Sequence, residues 1–156
     1  MNIVKSKLNL LNRELEALEF NRRVLALAQN LKIPLLERLK YICIVSSNLD
    51  EFFEIRIAVL KEQLRKNPKS KTQDGLIVGD AYLKIVKETQ TLVSHKYKIF
   101  QKDILPRLER EGIHLHFESA WTPSQHRWAK NYFEKELVPL LTPIVLDPAH
   151  PFPKVI

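Results

Sequence analysis

A cluster of polar residues lies within the longest periodic segment of the chain. Ser46, Ser47, Asn48, Asp50 and Glu51 fall within one stretch, SSNLDE. Polar groups in a core helix are destabilising unless each finds a partner. The amide of Asn48 can donate and accept hydrogen bonds at once, which is the chemistry needed to read the edge of a purine base. We therefore take Asn48 as a candidate nucleotide-base ligand, with Asp50 and Glu51 holding the helix and neighbouring arginines in place.

The same cluster also has a purely structural interpretation. Serine hydroxyls within a helix bond back to a carbonyl of the preceding turn. Asn48, Asp50 and Glu51 would then cap a helix or pair with arginines. The chain would then be a helical interaction module that handles no nucleotide. The candidate arginines are Arg22, Arg23, Arg38 and Arg56.

Other familiar sites are absent from the sequence or weakly indicated. Neither glycine-rich phosphate motif, G-x-x-x-x-G-K-[ST] or G-x-G-x-x-G, occurs. No serine or cysteine forms a recognisable nucleophile motif with a base. His114 and His116 would share one face of a strand, a spacing that zinc can use, and His126 and His150 stay open as further ligands. We favour two half-exposed strand histidines and predict no metal ligand and no catalytic residue; His95 is predicted to be a surface or interface residue.

The charge of the chain favours anionic partners. Its 25 Lys and Arg residues against 18 Asp and Glu give a net charge of +7, which suits nucleotides, polyanions, nucleic acid or acidic lipid. The densest basic stretch is 56–71, which is either a polyanion contact or a solvated loop. We do not expect nucleic-acid binding, because the basic residues are spread over helices too long for a helix-turn-helix.

Composition and cysteine content favour a helical protein of a reducing compartment. Only three glycines are present, which argues against a β-sandwich with its many tight turns. Cys43 is the single cysteine, so no disulfide framework exists. Periodicity places it on the apolar face of the central helix. A cytoplasmic location is expected, because the sequence shows no secretion signal. It also has no apolar run approaching the ~20 residues that are needed to span a bilayer.

Hydrophobic periodicity predicts the elements that position these residues. Helices are expected over 12–31, 34–64 and 78–108, and a fourth helix from Pro123. Asn12 and Thr122 are the expected N-caps of the first and fourth helices, and Pro106 marks or bends the end of the third. A continuous central helix is favoured over a break at Asn48. The predicted core stripes include Leu18, Phe20, Leu25, Leu27, Ala28, Leu31, Ile42, Phe53, Ile55, Val59, Ile85, Leu92, Tyr97, Ile104 and Leu108.

The fold class predicted is mainly α, with two domains. Long helices with short connections indicate an antiparallel bundle over 1–111. The pattern changes at Gly112: 113–117 alternates like a short strand and 140–146 is a candidate second strand. We expect 112–156 to be the incomplete beginning of an α+β domain.

Three segments together resemble one enzyme family. They are NRELEALEFNRRVL at 12–25, PLLERLKYICIVSSNLDEFFEIRIAVLKEQL at 34–64 and LTPIVLDPAHPFP at 141–153. In this order and spacing they resemble the amino-terminal part of type 1 polyphosphate kinase. One departure is Glu16-Ala17, where the family usually has serine and tryptophan, and it puts a packing contact of the first helix in doubt.

The resemblance implies a function and a set of partners. The parent enzyme would move the terminal phosphate of ATP onto inorganic polyphosphate, reversibly, through a phosphohistidine and with Mg²⁺. The bundle would supply Asn48 to the adenine side of the ATP site, and the head domain that begins near Gly112 would mediate homodimerisation. The phosphohistidine, the phosphate-binding arginines and the Mg²⁺ ligands would lie in domains absent here, so the chain alone is expected to be inactive. Membrane association of the parent stays open.

Overall fold

Three long helices make up the first part of the chain. The computed structural model describes residues 10–117 and 120–146. The first long helix is α1, Arg13–Gln29. The second consists of α2 (Leu35–Glu51), a π-helical segment (Phe52–Ile57) and α3 (Ala58–Lys66). The third consists of α4 (Val78–Ile99), a π-helical segment (Phe100–Ile104) and α5 (Leu105–Arg110).

Local sequence signals set the ends of these helices. The Asn12 side chain accepts a hydrogen bond from the backbone N–H of Leu15 at 3.1 Å, so the predicted N-cap is confirmed. At the far end, Gly112 has a φ of 78°. The N–H of Gly112 bonds to the carbonyl of Glu109, and the N–H of Ile113 bonds to that of Leu108. This is a Schellman motif, in which glycine takes the left-handed position without strain.

The long helices form the predicted bundle. Contacts join Ala28 with Arg38 and Asn21 with Asn48, so the first and second long helices are antiparallel. Ser46 contacts Lys96, and Arg38 contacts Asp103, so the second and third are also antiparallel. The mainly α fold is therefore confirmed. The core contains Leu18, Leu25, Ile42, Val45, Leu49, Phe52, Ile57, Leu60, Ile85, Leu92, Ile104 and Leu108.

The buried stripes are narrower than predicted. Each long helix faces only two neighbours, so residues beside the centre of a stripe stay in contact with solvent. Cys43 is also exposed, because the neighbouring Ile42 and Val45 define the buried face of α2. The other residues of the predicted apolar stripes that are exposed include Phe20, Leu27, Leu31, Leu36, Phe53, Ile55, Val59 and Tyr97.

The second long helix runs without a break through the polar cluster. The continuous helix is confirmed, and the alternative in which Asn48 starts a new helix is wrong. The reason is local, since apolar residues before and after the cluster keep the same phase and pack on the same core. A six-residue π-helical segment, Phe52–Ile57, follows, and no sequence signal predicted it.

The region from Leu115 onward forms a separate compact unit. Helix α6, Pro123–Tyr132, begins with the predicted Thr122 cap, and Gln125 completes a capping box. A π-helical segment, Phe133–Leu137, and a 3₁₀ turn, Val138–Leu140, follow.

The strand predictions in this region are wrong. Residues 113–117 and 141–146 have no regular secondary structure. A strand forms only when it pairs with another strand, and the structure shows no strand between residues 10 and 117 or between 120 and 146. No helix in these ranges is both long and apolar enough to cross a membrane.

A buried arginine links the three long helices. Arg38 on α2 is 2% exposed. Its Nε donates to the carbonyl oxygen of Ala28 on α1 at 2.7 Å, and its Nη2 bonds to the carboxylate of Asp103. Burial alone would raise the pKa of Asp103, but hydrogen bonds from Arg107 and Arg38 outweigh it and the pKa lies below its usual value.

We expect Asp103→Asn to lower the unfolding free energy of the chain at pH 7. The substitution leaves a buried guanidinium without its counter-charge, which costs on the order of 1.5–3 kcal/mol for a hydrogen bond to a charged group. Because the folded pKa is depressed below the usual 3.8, the carboxylate stabilises fully above that value and less as the pH falls through the folded pKa. The difference between variant and wild type in urea denaturation should therefore shrink below about pH 4. The exposed pair partner Glu62 gives a control, since Glu62→Gln should change little.

Candidate functional site

Asn48 lies half-buried on the side of α2 that faces α1. Its Nδ2 donates a hydrogen bond to Oδ1 of Asn21 at 2.9 Å. Nδ2 of Asn21 donates in turn to the carbonyl oxygen of Ala17 at 2.9 Å. The residues that the structure describes supply no donor to Oδ1 of Asn48. The side chain therefore keeps an acceptor and one N–H available for a ligand.

Asn21, the hydrogen-bond partner of Asn48, was not singled out by the sequence prediction. It is 4% exposed and occupies the core face of α1 between Leu18 and Leu25. The spacing of three and four to those leucines is the signal that could have found it, since a polar residue in a core stripe needs a partner.

Ser46 has a structural role. Its hydroxyl donates to the carbonyl of Ile42 at 3.1 Å and accepts from Nζ of Lys96 at 2.7 Å. Lys96 is 9% exposed, so this hydroxyl is a partner of a nearly buried ammonium. The back-bonding predicted for the serines is thus confirmed at Ser46, while Ser47 is exposed.

The predicted pairing of the acidic residues with arginines is wrong. Asp50 and Glu51 are exposed and form no ion pair within the described part of the chain. Arg22 instead bonds to Glu88 on α4, and Arg38 bonds to Asp103. Glu88 and Asp103 are half-buried, whereas Asp50 and Glu51 are exposed. Arg22 also pairs with Glu19 on its own helix.

Two of the clefts that the described residues form lie on the bundle, and Asn48 lines neither of these two. The first, of about 500 Å³, lies between the start of α1, the second long helix and the loop after it. Arg56 and Lys71, the two ends of the predicted basic stretch, line it. In the same stretch, Arg65 and Lys66 pair with Glu62. Polyanion binding by this stretch stays a prediction.

The histidines do not gather into a metal centre in the ranges that the structure describes, where no group of three or more metal-ligating side chains occurs. His95 is exposed and lines the second cleft, of about 430 Å³. His114 and His116 lie in the irregular segment after Gly112, and the ring of His126 packs edge-on against Trp121 at 5.3 Å. His150 lies outside the described residues.

Comparison with known families decides the relationship of the chain. Residues 10–116 match the model of the polyphosphate kinase N-terminal domain. The chain belongs to this family. Residues 124–156 match the model of the polyphosphate kinase middle domain.

Individual members of the polyphosphate kinase family agree with this assignment. The chain is 54% identical over 147 residues to the polyphosphate kinases of Burkholderia multivorans and Paraburkholderia phytofirmans, covering 94% of the chain. The crystal structure of polyphosphate kinase from Porphyromonas gingivalis aligns with 97% of the chain at a TM-score of 0.71 and 30% identity. The chain spans 21% of the length of each of these relatives.

Within this member of the polyphosphate kinase family, we expect Ser46→Ala to destabilise the fold more than Ser47→Ala. The first substitution removes the hydroxyl that binds the buried ammonium of Lys96, at a cost on the order of 1–3 kcal/mol for a lost buried partner. The second changes an exposed hydroxyl of the same type, for which about 0.5 kcal/mol or less is usual. Urea denaturation of both variants gives the comparison, and equal losses would contradict a structural role specific to Ser46.

Proposed function

We propose that this chain is the amino-terminal part of an enzyme that transfers the terminal phosphate of ATP to inorganic polyphosphate. The products are ADP and a polyphosphate longer by one unit. Support comes from the family match over residues 10–116 and from relatives named polyphosphate kinase at 54% identity. The chain alone is inactive in this proposal, because the phosphorylated histidine and the phosphate-binding arginines belong to the rest of the enzyme.

The contribution of the bundle is a contact on the adenine side of the ATP site, made by Asn48. The observation that carries this role is the state of its amide. One N–H is held by Asn21, while the acceptor Oδ1 has no donor in the described residues. A half-buried amide with an available acceptor and an available N–H suits the edge of adenine, which offers an amino donor beside a ring acceptor.

A contact with the base alone is consistent with the chemistry of phosphoryl transfer. Such a reaction depends mainly on positioning the nucleotide and neutralising its charge. The chain has no glycine-rich phosphate cradle, and no cluster of three metal-ligating side chains occurs in 10–117 or 120–146. We therefore assign Mg²⁺ and the phosphate contacts to other domains, and to this chain the task of orienting the base.

Three further properties belong to the same proposal. The enzyme acts in the cytoplasm, it is a homodimer, and residues from Gly112 onward belong to the head domain that carries the dimer contact. The match of residues 124–156 to the middle domain of the family supports the domain assignment from residue 124 onward, whereas residues 112–116 fall within the match to the N-terminal domain.

We expect Asn48→Ala in the full-length enzyme to raise the KM for ATP. Loss of the amide leaves the base with an unmet polar contact, on the order of 1–3 kcal/mol, which corresponds to a factor of about 5–150. The KM for polyphosphate should stay within about twofold, because its contacts lie elsewhere. Initial rates at varied ATP and varied polyphosphate separate the two.

Ser47→Ala is the matched control, since it changes an exposed neighbour on the same turn. An Asn48→Ala enzyme with reduced thermal stability and an unchanged KM for ATP would contradict the binding role. The structural interpretation, a helical interaction module, would then describe the bundle better.

A further inference from the structure

We infer that Asn21 is a positioning residue of the ATP site, which fixes the orientation of the Asn48 amide and thereby favours a purine that carries an amino group at ring position 6. The inference rests on the proposed role of Asn48. Asn21 does not itself touch the nucleotide in this scheme. It acts through one hydrogen bond to the residue that does.

The direction of that hydrogen bond follows from an acceptor that cannot be reversed. The backbone carbonyl of Ala17 can only accept, so the side chain of Asn21 must present its NH₂ group there. Oδ1 of Asn21 then faces Asn48, so Asn48 must donate a hydrogen bond to it from its own NH₂ group. One backbone carbonyl thus sets the direction of both amides.

The alternative orientation of Asn48 is strongly disfavoured by this arrangement. Turning its amide by half a rotation would bring two side-chain oxygens face to face at a distance of a hydrogen bond. Asn21 is 4% exposed, so water cannot easily separate the two oxygens, and buried unsatisfied acceptors are destabilising. An Asn48 without Asn21 could present either its oxygen or its nitrogen to a ligand.

The fixed orientation has a consequence for the substrate. The atom of Asn48 left without a donor in the described residues is an oxygen. With the remaining N–H of Asn48 on the ring acceptor N7, which adenine and guanine share, Oδ1 would attract the exocyclic amino group of adenine and repel the carbonyl oxygen that guanine carries at the same ring position. The Asn21–Asn48 pair should therefore favour ATP over GTP.

The test is a double-mutant cycle in the full-length enzyme, with Asn21→Leu, Asn48→Ala and the double variant. We expect Asn21→Leu to raise the KM for ATP by about fivefold or more, to leave the KM for polyphosphate within about twofold, and to lower the preference for ATP over GTP. In the Asn48→Ala background the same substitution should change the KM for ATP by less than about twofold, because there is no amide left to orient.

Two further variants keep the result interpretable. Asn21→Ala also removes the acceptor, without adding bulk, and serves if the leucine does not fit. Thr89→Val is the matched control. Thr89 is 3% exposed and its hydroxyl likewise bonds to a carbonyl four residues back, Ile85, but it forms no hydrogen bond with Asn48. It should lower stability without changing the KM for ATP.

The outcomes separate this inference from the proposed function. If Asn48→Ala raises the KM for ATP but folded Asn21→Leu and Asn21→Ala do not, the positioning role is wrong and the binding role stands. Equal effects of Asn21→Leu with and without Asn48 would also overturn it, since they would indicate general structural damage. If Asn48→Ala itself leaves the KM for ATP unchanged, the proposed binding role of Asn48 is wrong, and the positioning role of Asn21 is wrong with it.

Discussion

A single buried guanidinium sets the register of the three long helices. Arg38 bonds to a backbone carbonyl of α1 and to Asp103 on the third long helix, at 2% exposure. A buried charge that loses its partners is strongly destabilising, so this contact tolerates little sliding of one helix along another. Asn21 lies seven residues before Ala28 on the first long helix, and Asn48 lies ten residues after Arg38 on the second. At about 1.5 Å per residue, a slip of one helical turn would separate the two amides completely.

The π-helical segments show how the third long helix accommodates a proline. In a regular α-helix the ring of Pro106 would clash with the carbonyl of residue 102, and the proline lacks the N–H that would bond there. The segment Phe100–Ile104 widens the helix at this point, and Pro106 then lies in the first turn of α5, where a proline is tolerated. The helix continues to Arg110 instead of ending at the proline. Asp103 belongs to the widened segment, so the partner of Arg38 lies where the regular pattern changes.

Sequence patterns predicted the helices and their caps well, and the polar contacts poorly. Asn12 and Thr122 were found because capping depends on residues within one turn of each other. The partner of Arg38 was not found, because it lies 65 positions away and depends on the packed register. Asn21 was missed for a related reason. Apolar periodicity identifies a core stripe from its leucines and does not identify an amide that lies between them. The predicted strands failed because alternation indicates an extended segment but not the neighbour with which it must pair.

The pair formed by Asn21 and Asn48 lies where an apolar pair could also pack. Replacing both partners of a buried hydrogen bond by apolar residues of similar shape is often neutral or stabilising, and leucines already surround Asn21 on α1. An amide at such a core position therefore adds little stability over an apolar side chain. Proteins retain such departures from local rules mostly at functional sites. The polar contacts of Ser46 and Arg38 satisfy buried groups of the bundle itself, whereas the Asn48 amide ends in an acceptor with no donor in the described chain. That difference is why we propose Asn48, and not Ser46 or Arg38, as the residue that contacts a ligand from outside the bundle.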